Sequence, residues 1–154
     1  MVILIDTREK QPLEFDCPTK TMTLDPGDYS VDGIQSVFRA ERKKPKEIWS
    51  CVGTGRERFR SQLDRLSSYP YRMLIIEGTV SQLRSPPPRT RMSANQVTAR
   101  LMRWSVAYGI PIWFLANRSK STLGALENLF SGIYDAYRRD TTFPNRWKVM
   151  TDGS

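Results

Sequence analysis

Continuous apolar runs of strand length recur along the chain, separated by segments with helical spacing. Residues 2–5 form an aliphatic run that ends at Asp6, and residues 73–76 and 112–115 are two further runs of the same kind. Uninterrupted runs of this length are typical of strands that are buried on both faces of a sheet. The pattern therefore predicts three buried strands, each followed by polar residues.

Two other segments alternate between apolar and polar positions, as strands with one solvated face do. Residues 22–25 lead into a Pro-Gly turn at 26–27, and residues 34–42 alternate a second time. We expect these two strands to pair as a hairpin around a loop centred on residues 32–33.

Helical spacing appears in four segments. A short one lies around residues 48–52, a second covers residues 56–66, and a third begins at a capping box that extends from Ser93 to Gln96. The last and longest spans residues 121–139, and its apolar positions form one stripe, consisting of Leu123, Leu126, Phe130, Ile133 and Tyr137. We expect this stripe to pack in the core, ahead of any contact with a partner.

Strands that alternate with helices predict an α/β fold, with a central sheet covered by helices on both faces. The length of 154 residues supports one domain, which we place at residues 1–140, followed by a C-terminal tail at 141–154 anchored by Phe143 and Trp147. Residues 84–91 contain three arginines and three consecutive prolines, so they are neither helix nor central strand. An exposed linker is favoured there over a DNA-contacting loop.

The charge balance points to a polyanionic partner. Lys and Arg number 24 against 16 Asp and Glu, which gives a net charge of +8 and a pI near 9.8. Nucleic acid is the first candidate for such a surface and an anionic membrane surface the second. No segment approaches the length of a membrane span. We therefore expect a soluble intracellular protein, in the cytoplasm, nucleoid or nucleus, that binds DNA and no membrane.

The absence of histidine narrows the chemistry. It excludes histidine general-base nucleases, Ser-His-Asp hydrolases and metal sites with histidine ligands. Cys17 and Cys51 are the only cysteines, too few for a disulfide framework or a zinc site. Any catalysis must therefore use carboxylates, lysine and a hard metal ion.

One set of residues fits that chemistry. Asp28 follows the Pro-Gly turn at the start of a hairpin strand, and Glu41 lies near the end of the returning strand, so pairing of the two strands can bring both carboxylates to one spot. Lys43 lies two residues after Glu41, hence on the same face of the strand. Magnesium binds through one or two carboxylates and activates water for phosphodiester cleavage. Taken singly, these residues also fit a solvated charge run and an ordinary turn.

The combined motif is similar to that of a known family. The matching segments are Asp6-Thr7-Arg8-Glu9, Gly27-Asp28-Tyr29 and Glu41-Arg42-Lys43, with Gly55-Arg56, Gln62 and residues 74–77 further along. These resemble the XPF-type structure-specific endonucleases, the nuclease domain of XPF and archaeal Hef proteins, over about residues 2–138. The resemblance implies a restriction-endonuclease-like core, with a central mixed β-sheet flanked by helices on both faces.

The resemblance also assigns roles. It implies that Asp28 and Glu41 bind Mg²⁺ or Mn²⁺, that Asp6 supports the metal or its waters, and that Lys43 is the catalytic lysine. Three arginines would contact or polarise the phosphate, namely Arg8, Arg42 and Arg56. Guanidinium groups suit that task because they bind phosphate oxygens in pairs.

Two features depart from the family. Glu47 stands where the family has an aspartate, and we expect its longer carboxylate to reach the site from the following helix. The tandem helix-hairpin-helix module of family members is missing from these residues, so a stand-alone nuclease domain with weak grip on DNA is expected. Candidate DNA contacts are Arg56, Arg58, Arg60, Gln62, Arg84, Arg89 and Arg91.

The resemblance implies an endonuclease that cuts branched, flap, fork or junction DNA in repair, recombination or replication. It also implies a homodimer, or a partner protein that supplies recognition of DNA structure. One alternative is a non-catalytic DNA-binding or scaffold partner with a nuclease fold, although the presence of Asp28, Glu41 and Lys43 favours activity. Another is a junction resolvase or restriction-like nuclease with the same chemistry.

Overall fold

The computed structural model describes residues 1–139. The predicted domain boundary at residue 140 and the tail at 141–154, with its proposed anchors Phe143 and Trp147, lie outside the described residues. Within the described part, no helix combines the length and the apolar character that a membrane crossing requires.

Six strands form a single mixed sheet, in the order β2-β1-β3-β4-β5-β6. The strands are β1 (Ile3–Asp6), β2 (Thr19–Met22), β3 (Tyr29–Val31), β4 (Phe38–Lys43), β5 (Tyr71–Ile76) and β6 (Ile112–Phe114). Strand β3 runs antiparallel to both of its neighbours, and the other pairings are parallel. Five strands therefore point in one direction, and the predicted mixed sheet is confirmed.

The helices are α1 (Pro45–Val52), α2 (Arg56–Ser67), α3 (Val80–Leu83), α4 (Ala94–Tyr108) and α5 (Lys120–Arg139). The predicted capping box opens α4, where Ser93 Oγ accepts from the Gln96 N–H at 3.1 Å and the Ser93 N–H donates to Gln96 Oε1 at 2.8 Å. The short α3 has no apolar period of its own and was not predicted.

Two cores lie on opposite faces of the sheet. Strand β5 shows the division, because Met73 and Ile75 belong to one core and Leu74 and Ile76 to the other. Helix α5 covers the first core, and its stripe is buried at Leu123, Leu126 and Phe130 and partly buried at Ile133 and Tyr137. Helices α1, α2, α3 and α4 cover the second. The prediction of helices on both faces is confirmed, as is core packing of the stripe.

The predicted hairpin has different strands from those expected. Residues 34–37 are a turn, because the N–H groups of Val37 and Phe38 both donate to the Ile34 carbonyl, and β4 therefore begins only at Phe38. Residues 22–25 do not pair with β4. The Leu24 N–H donates to Asp6 Oδ1 at 2.7 Å, so the chain leaves the sheet after β2, and β3 is the strand that pairs with β4.

The directions of the strands concentrate functional groups at one edge. Because β1, β4, β5 and β6 are parallel, their carboxyl ends meet at the same edge of the sheet. The antiparallel β3 begins at that edge. In open α/β sheets, ligands bind outside the carboxyl ends of the strands. The polar residues that end β1 and β4 and precede β3 therefore lie where a site is expected.

Candidate active site

Asp28 and Glu41 are neighbours across the β3–β4 hairpin. Tyr29 pairs with Ala40, which places Asp28 beside Glu41, and the Asp28 N–H donates to the Ala40 carbonyl at 2.8 Å. Side chains directly opposite each other in an antiparallel pair share one face of the sheet. The two carboxyl groups are close enough to share a hydrogen bond. The structure thus brings together the two carboxylates that the sequence predicted.

Gly27 makes this placement possible. Its φ of 105° lies in the left-handed region, which glycine adopts without strain. A Cβ at this position would lie 3.3 Å from Arg39 Cβ and 3.4 Å from the Ala40 carbonyl oxygen. A side chain would therefore both strain the turn and crowd β4, and Asp28 would be displaced from Glu41.

Lys43 completes the set. Its Nζ lies 3.5 Å from Glu41 Oε1 and 6.0 Å from the centre of the Phe59 ring on α2. Burial opposes the charged ammonium, but the Glu41 carboxylate outweighs this effect, and the pKa of Lys43 lies above its usual value. Lys43 therefore stays protonated beside the carboxylates.

The two carboxyl groups interact strongly with each other. Burial, together with the neighbouring Asp28 charge and hydrogen bond, raises the pKa of Glu41 to about 8, although the Lys43 ammonium opposes the shift. Burial likewise raises the pKa of Asp28, although the Arg42 N–H, 2.8 Å from Asp28 Oδ2, opposes the shift. At neutral pH the pair therefore holds a proton or requires a cation.

This donor set suits a magnesium-sized ion. Within residues 1–139 no group of three or more His, Cys, Asp or Glu side chains is poised to hold a metal. Magnesium does not need such a group, because it retains several waters and binds through one or two carboxylates together with substrate phosphates. Asp28 and Glu41 are the two carboxylates that fit, because a cation would relieve the repulsion between them.

Asp6 anchors the wall of the site. It is 1% exposed, with Oδ1 accepting from the Leu24 N–H at 2.7 Å and Oδ2 from Arg8 Nε at 2.8 Å. Burial favours the neutral acid, but these hydrogen bonds prevail and hold the pKa of Asp6 below its usual value. Arg8 also donates to the Leu24 carbonyl at 2.6 Å, while 64% of its side chain stays exposed. Asp6 thus presents a fixed guanidinium to solvent.

These groups line a cleft of about 520 Å³ between the carboxyl edge of the sheet and α2. Its walls include Asp6, Arg8, Asp28, Glu41, Arg58 and Gln62. A smaller cavity of about 260 Å³ adjoins it, with Lys43 and Cys51 in its wall, and shares Arg58 and Gln62 with the cleft. The structure therefore places Arg8, Arg58 and Gln62 in the same cleft as the carboxylates, whereas their contacts with DNA stay a prediction.

Arg42 does not enter the cleft. It lies between Glu41 and Lys43 on β4, so its side chain points to the opposite face of the sheet. There its Nη2 lies 2.8 Å from Glu9 Oε2, and its Nη1 contacts Glu77 Oε2. The Arg42 side chain is 9% exposed and the two carboxylates 12% and 13%. The structure therefore gives Arg42 a buried structural pairing, in place of the phosphate contact expected from the motif.

The pairing extends across the sheet edge. Arg118, which follows β6, binds the second oxygen of Glu77 and donates to the Gln11 and Pro12 carbonyls at 2.9 and 3.2 Å. Tyr29 Oη donates to Glu9 Oε2 at 2.9 Å. Sequence reasoning missed these partners. The position of Glu77, directly after the buried run of β5, could have indicated a role at the carboxyl edge of the sheet. No feature of the sequence around Arg118 indicates its contact with Glu77.

Neither Glu47 nor Arg60 lines the cleft, although the Glu47 charge acts on Lys43. Glu47 is exposed in the first turn of α1, where its Oε1 accepts from the backbone N–H of Lys44, the residue before the helix, at 3.3 Å. Arg60 points toward α4, donating to Tyr108 Oη at 3.2 Å and lying 5.9 Å from the Trp104 ring. Capping accounts for Glu47 and packing on α4 for Arg60, so neither is brought to the cleft.

Arg56, Arg89 and Arg91 come together in a separate groove of about 750 Å³, formed by the start of α2 and the proline-rich loop. Arg84 is not part of it, because its guanidinium donates to Asn95 Oδ1 at 2.6 Å and Thr98 Oγ1 at 3.1 Å on α4. The loop is therefore tied to α4 at its beginning.

The raised pKa of Glu41 predicts a pH-dependent stability. Because the pKa of the folded state lies above the unfolded value near 4.3, the fold is favoured at low pH and loses stability as pH rises toward about 8. In chelator at pH 8, Glu41→Gln removes the repulsion from Asp28 but also loses the contact with Lys43. The net result expected is a rise in the free energy of unfolding by about 1–2 kcal/mol. Urea denaturation at pH 5 and pH 8 measures the difference.

A matched variant, Glu57→Gln on the exposed side of α2, is expected to change the free energy of unfolding by less than about 0.5 kcal/mol at both pH values. If Glu41→Gln and wild type denature at the same urea concentration at pH 8, the proposed repulsion between Asp28 and Glu41 is wrong.

The fold and the site define an α/β domain with a pair of carboxylates and a lysine at the carboxyl edge of a mixed sheet. The chain belongs to the ERCC4 domain family, whose pattern matches residues 5–123. The resemblance to XPF-type nucleases, drawn from three short motifs, is confirmed by this match. No curated protein matches the sequence.

Solved structures agree on the fold. The chain is similar to XPF from Aeropyrum pernix, with a TM-score of 0.67 and 22% identity over 85% of this chain and 60% of that one. It is also similar to XPF from Aeropyrum pernix in complex with DNA, with the same TM-score and identity over 91% of this chain and 68% of that one. The chain thus spans about three fifths of the length of the first of these proteins, and the α/β XPF nuclease fold is confirmed.

Proposed function

We propose that this domain is a Mg²⁺- or Mn²⁺-dependent endodeoxyribonuclease. One observation carries the proposal: Asp28 and Glu41 lie side by side at the carboxyl edge, with the Lys43 ammonium 3.5 Å from Glu41 Oε1. This set supplies two oxygen ligands in the cleft and one fixed positive charge beside Glu41, in the wall of the adjoining cavity. These are the groups required for hydrolysing a phosphodiester without histidine.

Each residue has a task in this proposal. Asp28 and Glu41 hold the divalent cation, which when bound lowers the pKa of a water and offsets charge on the phosphoryl oxygens. Lys43 keeps a positive charge beside the attacking water and orients it. Arg8 and Arg58, both exposed in the cleft wall, bind the phosphate oxygens on either side. Asp6 holds Arg8 in place through the 2.8 Å hydrogen bond.

Branched DNA, with flaps, forks or junctions, is the proposed substrate, and repair, recombination or replication the proposed setting. Membership of the ERCC4 domain family and the similarity to an XPF that was solved with DNA support this choice. We further propose that a second copy of the chain, or a partner protein, supplies recognition of the branch; the mass of the protein in solution distinguishes one copy from two.

Wild-type protein is expected to cut at least one of flap, fork, junction and linear DNA in Mg²⁺ or Mn²⁺, and none of them in chelator. Gel analysis of end-labelled substrates measures the cutting. Cutting in chelator would exclude the metal. Absence of cutting on every substrate with either metal would favour a non-catalytic scaffold with a nuclease fold.

A further inference from the structure

The cleft at the carboxylates continues into the groove beneath the proline-rich loop. The cleft and the Lys43 cavity share Arg58 and Gln62, and the Lys43 cavity and the groove share Ser50 and Thr54. The three concavities therefore form one path along α2 and the end of α1. A ligand that occupies the cleft has a continuous surface leading toward the loop.

The groove has the composition of a nucleic-acid contact. Three exposed arginines, Arg56, Arg89 and Arg91, face one acidic residue, Glu57. Hydroxyl and apolar side chains fill the remaining wall, among them Ser50, Thr54, Thr90, Pro87, Pro88 and Met92. Cationic groups placed beside apolar surface suit a strand that presents both phosphates and bases.

The loop is held in place at both ends. Arg84 ties its beginning to α4 through Asn95 and Thr98. At the far end, the Met92 methyl group lies so close to Gly53 that a Cβ there would come within 2.8 Å of it. The groove is thus built before any ligand arrives, and ordering the loop costs little on binding.

Arg89 has a backbone conformation that needs an explanation. Its φ is 64°, in the left-handed region that side chains other than glycine, asparagine and aspartate rarely adopt. Strained residues of this kind cluster at ligand-binding positions. At Arg89 the conformation places a guanidinium in the groove wall, where a glycine would relax the backbone but provide no charge.

The size of the groove favours a single strand of nucleic acid over a duplex. Pockets of about 300–1,000 Å³ enclose molecules of drug size, so the groove of about 750 Å³ accepts one or two nucleotides. A volume of about 750 Å³ corresponds to a cube roughly 9 Å on a side, whereas a duplex is wider than its own major groove of about 12 Å, so the groove does not enclose a duplex. A single strand that leaves the cut site does fit.

We propose that the groove lined by Arg56, Arg89 and Arg91 binds a single-stranded arm of the DNA substrate and leads it from the cleft. This inference rests on the proposed nuclease function, because the arm belongs to a DNA substrate. Its test measures binding alone and does not require cutting. The inference predicts that the affinity of the domain for a single strand depends on these three arginines.

The test measures the binding of a fluorescently labelled oligothymidylate by fluorescence anisotropy. Chelator is present so that no cutting occurs. The double variant Arg89→Gly, Arg91→Gln is expected to bind about tenfold more weakly than wild type. The slope of log affinity against log salt concentration should fall by about 1.4, which corresponds to two phosphate contacts at about 0.7 each. Glycine is chosen at position 89 because it tolerates the left-handed backbone.

Two matched variants complete the design. Arg103→Gln removes one charge from the exposed side of α4, outside the groove, and is expected to change the affinity less than twofold. The double variant Arg89→Lys, Arg91→Lys keeps both charges and should retain most of the affinity. Thermal unfolding checks that all variants fold, as is expected for exposed positions.

Unchanged oligothymidylate affinity in the Arg89→Gly, Arg91→Gln variant would overturn the proposal, as would an equal loss in Arg103→Gln. An equal loss of affinity for blunt duplex would also overturn it, because the groove would then not select a single strand. Failure of the nuclease proposal has a separate signature: wild type would bind the oligonucleotide through these arginines and cut no substrate in Mg²⁺ or Mn²⁺.

Discussion

Replacing Glu41 by glutamine, or Asp28 by asparagine, is expected to slow DNA cutting in Mg²⁺ by about a thousandfold or more. Each change removes one of the two negative oxygen ligands beside Lys43 while preserving the size of the side chain. A thousandfold loss corresponds to about 4 kcal/mol of activation free energy. Such a loss is in the range expected when a metal ion that activates water is no longer held.

DNA binding should survive both substitutions. The arginines that line the cleft and the groove are unchanged, and removing a carboxylate lowers the repulsion that DNA meets. Binding to labelled fork DNA in chelator, measured beside single-turnover cutting in Mg²⁺, separates the two effects. Asp64→Asn, an exposed position on α2, makes the same change of charge and is expected to cut at the wild-type rate.

Unfolding is not a competing explanation for Glu41→Gln, because this variant is expected to be more stable than wild type in chelator at neutral or higher pH. Cutting by Glu41→Gln at the wild-type rate would show that the site assignment is wrong. A loss of fork binding as large as the loss of cutting would show that the carboxylates serve binding and not chemistry.

Replacing Arg42 by leucine is expected to destabilise the fold by about 3 kcal/mol at pH 7. The substitution leaves Glu9 and Glu77, which are 12% and 13% exposed, without the guanidinium that lies between them. Removing one partner from a buried ion pair is costly because the remaining charge stays desolvated. Arg118 still reaches Glu77, so this carboxylate keeps one of its two guanidinium partners.

The pH dependence of this effect has a definite sign. Burial favours the neutral form of Glu77, but hydrogen bonds from Arg118 and Arg42 prevail, and the pKa of Glu77 lies below its usual value. A carboxyl group of this kind stabilises the fold above its unfolded pKa, near 4.3, and loses that contribution as pH falls. The difference between Arg42→Leu and wild type should therefore be largest above about pH 5 and shrink toward pH 4.

Urea denaturation at several pH values measures both predictions. Arg65→Leu is the matched control, because Arg65 pairs with Asp25 at 2.9 Å while both side chains are about half exposed. Exposed pairs of this kind contribute about 0–1 kcal/mol. Equal losses of stability in Arg42→Leu and Arg65→Leu would contradict a structural role for the buried pairing.

Most of the sheet could be predicted from the sequence, because strands buried on both faces consist of consecutive apolar residues. Strands β1 and β5 are largely buried, β6 is half-buried against both cores, and all three read as continuous apolar runs. The hairpin was harder, because the turn at residues 34–37 happens to continue the alternation of β4. The meeting of Asp28 and Glu41 was nevertheless predicted, since one was placed at the start of a hairpin strand and the other near the end of the returning strand.

Contacts between residues that are far apart in the sequence are not indicated by any such pattern. Arg42 binds Glu9 and Glu77, which are 33 and 35 positions away, and Glu77 binds Arg118, which is 41 away. Neither helical nor strand periodicity relates residues so far apart. The alternation of β4 alone would have separated Arg42 from Glu41 and Lys43, but grouping the three as one motif concealed it. The groove was missed for a related reason, since it joins α2 to a loop about 30 residues later in the sequence.

Three consecutive residues of β4 therefore have two different roles, the proposed catalysis and the stability of the fold. Glu41 faces the cleft and Lys43 the adjoining cavity, whereas Arg42, on the opposite face of the same strand, binds Glu9 and Glu77. A screen that scores only folded yield should accept many residues at positions 41 and 43 and few at position 42. A screen that scores DNA cutting should reject changes at all three. In a descendant of this domain that had given up its chemistry, arginine at position 42 would be the member of the motif to persist.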